Sequence, residues 1–354
     1  MGANIILVMK LFKTTTICIG ILLVLFTVAC SKEKPKPTIK EVKLEGYIQG
    51  SSYHITYLDM KGRNFQKEIK AALEHFNKSL SVFDSTSVIS LINKNDSAVQ
   101  ADTLFKRVFI VAEEVSKKTD GAFDMTVGPL VKLWGFNNGK RIEVTQHMVD
   151  SLKPVIGYEK VHLVGNKIVK DNPKIQLDAN ALAQGYSSDI IGKLLESKGI
   201  KNYMVEIGGE VITKGKSPRG DDWKIGINKP IDDSTSTISQ IQDVVLLKNI
   251  AISTSGNYRK FYYYKGKKYS HEIDPHSGYP ENNNVLSVSV IAPECITADA
   301  YATAFMVLGM VKSVRLLQKL PGVDAYFIYK DNKDGKNKVI YTRGFEKYLE
   351  KKGK

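Results

Sequence analysis

Cysteine is scarce in this chain of 354 residues: Cys18, Cys30 and Cys295 stand far apart, which excludes a disulfide framework and a cysteine-built metal cluster. The chain also lacks a Gly-x-x-x-x-Gly-Lys phosphate loop, a Gly-x-Ser-x-Gly elbow, His/Cys metal spacing and internal repeats, so most familiar hydrolase and kinase classes fall away. Basic residues outnumber acidic ones, 51 to 37, yet the surplus is scattered, with Lys265–Lys268 and Lys330–Lys338 reading as solvated loops. Without a zinc finger, an aromatic RNA-binding signature or a basic helix, that charge favours small anions and lipid head groups over nucleic acid.

The leading apolar run, Ile17–Phe26, is too short for a membrane span. Lys10 and Lys13 precede it and Thr27-Val28-Ala29-Cys30 closes it, the charged, apolar and small-residue order of a signal peptide. Cys30 then opens the polar stretch Ser31–Thr38, so the site resembles a bacterial lipoprotein cleavage box, with Thr27 where leucine is usual. The expectation is a signal peptide over 1–29, a lipid on Cys30 and a tether over 30–41, anchoring the protein to a bacterial membrane on its periplasmic side. An uncleaved anchor, a plain secretory signal and a start at Met9 stay open as alternatives. Losing the leader removes two lysines and no acid, which lowers the formal charge from +14 to +12. Cys295, left alone, is expected to be buried rather than reactive.

Val42–Leu58 alternates as strand broken by Gly46 and Gly50, and Phe65, Ile69, Leu73 and Phe76 recur at helical spacing. A second amphipathic helix carries Leu104, Val108, Ala112 and Val115 and stops at Asp120-Gly121. Gly121–Leu130 and Leu133–Phe136 then mix aromatics with glycines, which suits either a flat apolar ligand approached by backbone or a core loop with turn glycines. A hairpin over Lys160–Lys170, a helix through Tyr186, Ile190 and Leu194 ending at Gly199, and a strand Tyr203–Ile207 follow. That strand delivers Gly208-Gly209-Glu210, a weak anion-cradle signal. Trp223–Ile227 and Val244–Ser253 read as two further strands.

The densest stretch is Ser253–Gly309, with a tyrosine-rich strand pair, a His-Glu-Ile-Asp-Pro turn, an alternating strand and a small-residue helix over Thr297–Leu308. Asp299 and Thr303 are four apart and share one face of that otherwise apolar helix. A carboxylate and a hydroxyl so placed supply two hard oxygen ligands for Mg²⁺. The same pair also fits a first helical turn in which Asp299 offsets the dipole and Thr303 bonds back to the Asp299 carbonyl.

Taken in order, Gly50–Tyr53, Phe83-Asp84-Ser85, Thr119–Asp124, Trp134-Gly135-Phe136, Leu177–Tyr186, Gly208-Gly209-Glu210, Thr254–Tyr258, His271–Pro280 and Ala298–Thr303 resemble the FAD:protein FMN transferases of the ApbE family over roughly residues 42–345. The resemblance implies a Mg²⁺-dependent enzyme that splits FAD at its pyrophosphate, releases AMP and attaches FMN to a threonine of an exported target, in that family a subunit of a membrane-bound redox complex. It implies Asp299, Thr303 and the main chain of Ala181 as metal ligands, and Gln49, Phe83, Ala122, Phe123, Asp124, Asp178, Gln184 and Ile273 as the FAD contacts. Gln49, Phe83 and Gln184 depart from the family's usual methionine, tyrosine and charged residue. His271, beside the Ile273-Asp274-Pro275 turn, is the candidate general base for the threonine hydroxyl, or alternatively a bonding partner of that turn. Three readings differ in what attacks the pyrophosphate: a protein threonine, water in a periplasmic FAD pyrophosphatase, or nothing in a flavin-binding lipoprotein. The expected fold is α+β, a two-lobed unit of mixed, mostly antiparallel sheets with packed helices and an inter-lobe flavin crevice, closed by a basic C-terminal tail over 346–354.

Overall fold

Alternating apolar residues build the sheet first. In the computed structural model, which describes residues 39–137, 141–232 and 240–351, Val288 and Val290 of one strand face a different cluster from Ile291, and Ala325 and Phe327 of its neighbour a different one from Tyr326 and Ile328. Cys30 and the rest of residues 1–38 lie outside the described residues.

Eight strands make the central sheet: β1 (Lys40–Ile48), β2 (Ser51–Asp59), β5 (Tyr203–Ile207), β6 (Glu210–Lys214), β9 (Ala251–Gly256), β12 (Val285–Ala292), β13 (Asp324–Lys330) and β14 (Asn337–Tyr341), side by side in that order. The pairings from β2 through β14 are antiparallel. Three hairpins stand apart from it: β3–β4 (Val161–Val164, Lys167–Lys170), β7–β8 (Trp223–Asn228, Ile241–Leu247) and β10–β11 (Phe261–Tyr264, Lys267–Ser270).

One face of the sheet carries helices α1 (Gln66–Leu80), α2 (Val88–Asn93), α3 (Thr103–Lys118), α6 (Ala183–Ser197) and α7 (Cys295–Leu317), whose apolar sides form the two larger clusters. The other face is covered by β7–β8 and the short α8 (Arg343–Glu346). Helices α4 (Gly128–Leu133) and α5 (Gln146–Leu152) join Trp134, Ile156 and Ile273 in a satellite cluster. From Glu41 onward the contacts form one unit, so the α+β expectation holds while the two-lobe expectation reduces to a layered body with this satellite.

Helix α7 has the length and hydropathy of a membrane span, yet it is packed in the core. Gly309, at φ 70°, breaks it, and the Asn283 amide donates to the Met306 carbonyl at 2.8 Å to finish the first part. The helix read over Thr297–Leu308 is therefore that first part. Val244–Ser253 is not one strand: Asn249 takes φ 55° and turns the chain between β8 and β9. Nor do residues 346–351 trail away as a tail, since Leu246 N–H donates to Tyr348 O at 2.7 Å and Glu350 N–H to Val244 O at 2.8 Å. An unpaired edge of β8 supplies the reason.

Asp189 of α6 caps α7: Cys295 N–H and Ile296 N–H donate to its two carboxylate oxygens at 2.8 and 2.9 Å, and Cys295 is buried as expected. Burial pushes the Asp189 pKa up to about 6. Its folded pKa thus exceeds that of a free carboxyl, so its contribution to stability is full below about pH 4 and is lost as pH rises toward 6, on the order of 2–3 kcal/mol. An Asp189→Asn chain is expected to lose that part of the slope of Tm against pH; identical slopes in the two proteins would refute the assignment.

Candidate active site

Residues i and i+2 of a strand are about 6.6 Å apart and residues i and i+4 of a helix about 6 Å, so a strand pair can face a helix pair one to one. Ser253 and Ser255 of β9 meet Asp299 and Thr303 of α7 in this way. Ser253 Oγ donates to Asp299 Oδ1 at 3.4 Å, and Ser255 Oγ lies 3.4 Å from Thr303 Oγ1. Glu210, at the start of β6, extends the polar row on the same sheet face.

Asp299 and Glu210 are both buried. Burial pushes the Asp299 carboxyl up to about 7, against the Gly185 N–H, which donates to Oδ2 at 2.9 Å, and the Ser253 hydroxyl. Burial, then the charge of Asp299, raises Glu210 well above the carboxylate range, and its Oε2 has no hydrogen-bond partner. Two buried acids that form no ion pair among the described residues are an arrangement a divalent ion would relieve. Among the described residues no donor reaches the Ala181 carbonyl, and the Thr303 hydroxyl faces Ser255 Oγ rather than the Asp299 carbonyl. The donor set of carboxylate, hydroxyl and carbonyl oxygens therefore fits Mg²⁺, and the back-bonding alternative is not what the helix does.

Gly185 makes this geometry possible, because a Cβ there would lie 2.5 Å from the Cys295 carbonyl oxygen and 2.7 Å from Asp299 Cβ. Next to it, the Gln184 amide occupies the space a Cβ on Gly208 would fill, at 2.4 Å, and Gly208 has φ +68°. Gln49, at φ 53° in the β1–β2 turn, accepts from Ser187 Oγ at 3.4 Å and leaves its own Nε2 buried without a partner. Gln49 and Asp299 are thus tied to the first turns of α6, which carry Gln184.

A second group surrounds His271. Its ring meets Phe136 edge-on at 6.2 Å, Phe136 meets Tyr262 at 5.3 Å, and buried Ile273 sits with Trp134 in the satellite cluster. Lys260 connects the two groups: burial raises both Asp178 and Asp299, the Lys260 charge opposes that rise at each, and its carbonyl accepts from His271 N–H at 3.2 Å. Burial is the larger influence on Asp178, whose carboxyl is raised while it accepts from Asn180 N–H at 2.8 Å and Asn137 Nδ2 at 3.2 Å.

Other candidates are placed differently. Ala122 and Phe123 are buried. Asp124 is buried too and engaged internally, accepting from Thr126 N–H and Oγ1 at 2.7 Å and Tyr158 N–H at 2.9 Å. It shapes the Gly121–Val127 loop through these bonds. Phe83 projects from a separate loop with 64% of its surface exposed. Ser253, Lys260, Glu272 and Gly185 were not singled out in the sequence; the alternation of serines in β9 opposite a polar i, i+4 pair was the available signal.

The ApbE family model matches residues 49–327. A FAD:protein FMN transferase of Vibrio cholerae is 38% identical over 285 residues, covering 78% of this chain and 83% of that protein. One of Haemophilus influenzae is 34% identical over 315 residues, covering 85% and 89%. The solved flavin transferase ApbE from Vibrio cholerae superposes with a TM-score of 0.79 at 34% identity, across 88% of this chain and all of that one. With the match spanning both the helix face that holds Asp299 and the turn that holds His271, the chain belongs to the ApbE family.

Proposed function

We propose that this enzyme transfers FMN from FAD to a threonine hydroxyl of an exported protein, with Mg²⁺ as its metal and AMP as the released product. The relatives' name, FAD:protein FMN transferase, supports the flavin transfer. The observation that carries the metal-dependent chemistry is buried Asp299, held by Gly185 N–H beside Glu210 and one turn from Thr303.

Asp299, Thr303 and the Ala181 carbonyl would hold the metal. Bound there, Mg²⁺ would neutralise the pyrophosphate and stabilise the departing phosphate. Gln49 and Gln184 flank the start of α6, where Gln49 has a free amide N–H for a phosphate or ribose oxygen. Phe83 offers an exposed ring for stacking. Ala122, Phe123 and Asp124 set the backbone of the adjoining loop, and Asp178 and Ile273 would complete the FAD contacts. His271 takes the proton of the attacking threonine hydroxyl. The expected setting is a lipid anchor on Cys30 at the periplasmic side of a bacterial membrane, with acceptor subunits of membrane redox complexes as partners.

The test is incubation of the chain with FAD, Mg²⁺ and a threonine-bearing subunit of such a complex, followed by intact-mass measurement. A covalent FMN increment on the acceptor is expected. Free FMN with an unmodified acceptor would replace the transferase by a pyrophosphatase, and intact bound FAD would replace it by a carrier.

A further inference from the structure

Glu272 is a buried carboxylate that the reaction as described does not use. Its side chain is 3% exposed, and neither oxygen has a hydrogen-bond partner. A carboxylate so buried is costly unless a polar N–H or a charge answers it. The answering group is His271, whose Nδ1 lies 3.3 Å from Glu272 Oε1. Burial raises the Glu272 carboxyl, and the His271 ring beside it opposes that rise and holds the group below the usual carboxylate range.

The imidazole is placed asymmetrically. Its side chain is 35% exposed while Nδ1 itself is buried and otherwise unpartnered. The exposed part of the ring is therefore the edge away from Glu272, which carries Nε2. Phe136 stands against the ring at 6.2 Å, and the His271 backbone is pinned by its N–H to the Lys260 carbonyl. A carboxylate against one ring nitrogen selects the tautomer with the proton on that nitrogen and leaves the other as acceptor.

We propose that Glu272 is the positioning residue for His271: it keeps the proton on Nδ1, orients the ring, and so presents Nε2 to the acceptor hydroxyl. This rests on the reading of His271 as the base. In the transfer step the threonine oxygen forms a new bond to the FMN phosphorus while the bond from that phosphorus to the bridging oxygen breaks, its electron pair leaving on AMP. The hydroxyl proton passes to Nε2, and the imidazolium so formed is balanced by the Glu272 carboxylate. Nothing remains on Glu272 itself, which acts through the ring and touches no reacting atom.

The experiment uses the chain labelled with ¹⁵N-histidine, in which long-range proton–nitrogen spectra assign the tautomer of each imidazole. His271 is identified by the signal missing from His271→Ala. Neutral His271 is expected as the Nδ1–H form in the wild type and as a mixture or the Nε2–H form in Glu272→Gln. A wild-type Nε2–H tautomer overturns the proposal even if the variants fold poorly. In parallel, AMP release from FAD with Mg²⁺ and a threonine-bearing acceptor subunit is expected to fall roughly ten- to a hundredfold in kcat for Glu272→Gln, with the KM for FAD unchanged and partial recovery in Glu272→Asp. If His271→Ala keeps the wild-type rate, the base assignment fails. If His271→Ala is inactive while Glu272→Gln keeps both rate and tautomer, only the role of Glu272 fails.

Discussion

Asp299→Asn is expected to lose FAD cleavage by at least about a thousandfold without losing stability. The two effects separate because the carboxylate is useful to a cation and burdensome without one. Its pKa, pushed up to about 7 by burial, reports that the ionised form is disfavoured in the metal-free protein, and Glu210 beside it adds repulsion. The asparagine carbonyl still accepts from Gly185 N–H, so the bond that joins α6 to α7 survives. What disappears is the charged ligand, and with it the several kcal/mol of charge stabilisation a metal supplies to a phosphoryl transfer. Titration separates the two consequences. At about a hundred times its Kd, Mg²⁺ stabilises a binding protein by about 2.7 kcal/mol. The wild type should show a rise in Tm on that scale and the variant none, while their metal-free midpoints stay equal or favour the variant. A variant that cleaves FAD at the wild-type rate would remove the metal from this helix.

Gly185→Ala should be nearly as damaging, for a steric reason. The added methyl would lie 2.5 Å from the Cys295 carbonyl oxygen and 2.7 Å from Asp299 Cβ. The first of these is backbone at the start of α7, which Asp189 holds with two hydrogen bonds, so it has nowhere to move. Helices α6 and α7 must separate, at a cost of about 1–3 kcal/mol or more for overpacking, and Asp299 shifts relative to Ala181 and Ser253. The expected readout is a Tm lower by several degrees together with loss of Mg²⁺-dependent stabilisation. Gly226→Ala is the control, because its methyl would meet only the flexible, exposed side chain of Ile241 at 3.3 Å. If the two variants behave alike, close approach of the helices is not what positions the site.

Part of the candidate site could be proposed from the sequence. Asp299 and Thr303 announced themselves as polar residues four apart on an apolar helix, and His271 as the histidine in the densest motif. Period-two and period-3.6 patterns located most of the elements on the helix face. The partners of those residues were not legible. Glu210, Ser253 and Ser255 belong to strands β6 and β9, which are adjacent in the sheet although some forty residues separate them in the chain. Glu272 read as one more residue of a turn until its burial placed a carboxylate against His271 Nδ1. Asp124, which the resemblance implies as an FAD contact, has three internal hydrogen bonds that only the fold reveals and that tie it into its loop.

Sequence alone determined the element types, the scarcity of cysteine, the leader-like first thirty residues and the ordered motifs that resemble one family, because each of these depends on neighbours within a few positions along the chain. Tertiary structure decided which acids share a buried space, which face of His271 is open, and why residue 185 can carry no side chain. Those properties depend on distances between segments far apart in sequence and on exclusion of water, and burial is a property of the assembled sheet and helices rather than of any stretch that enters them.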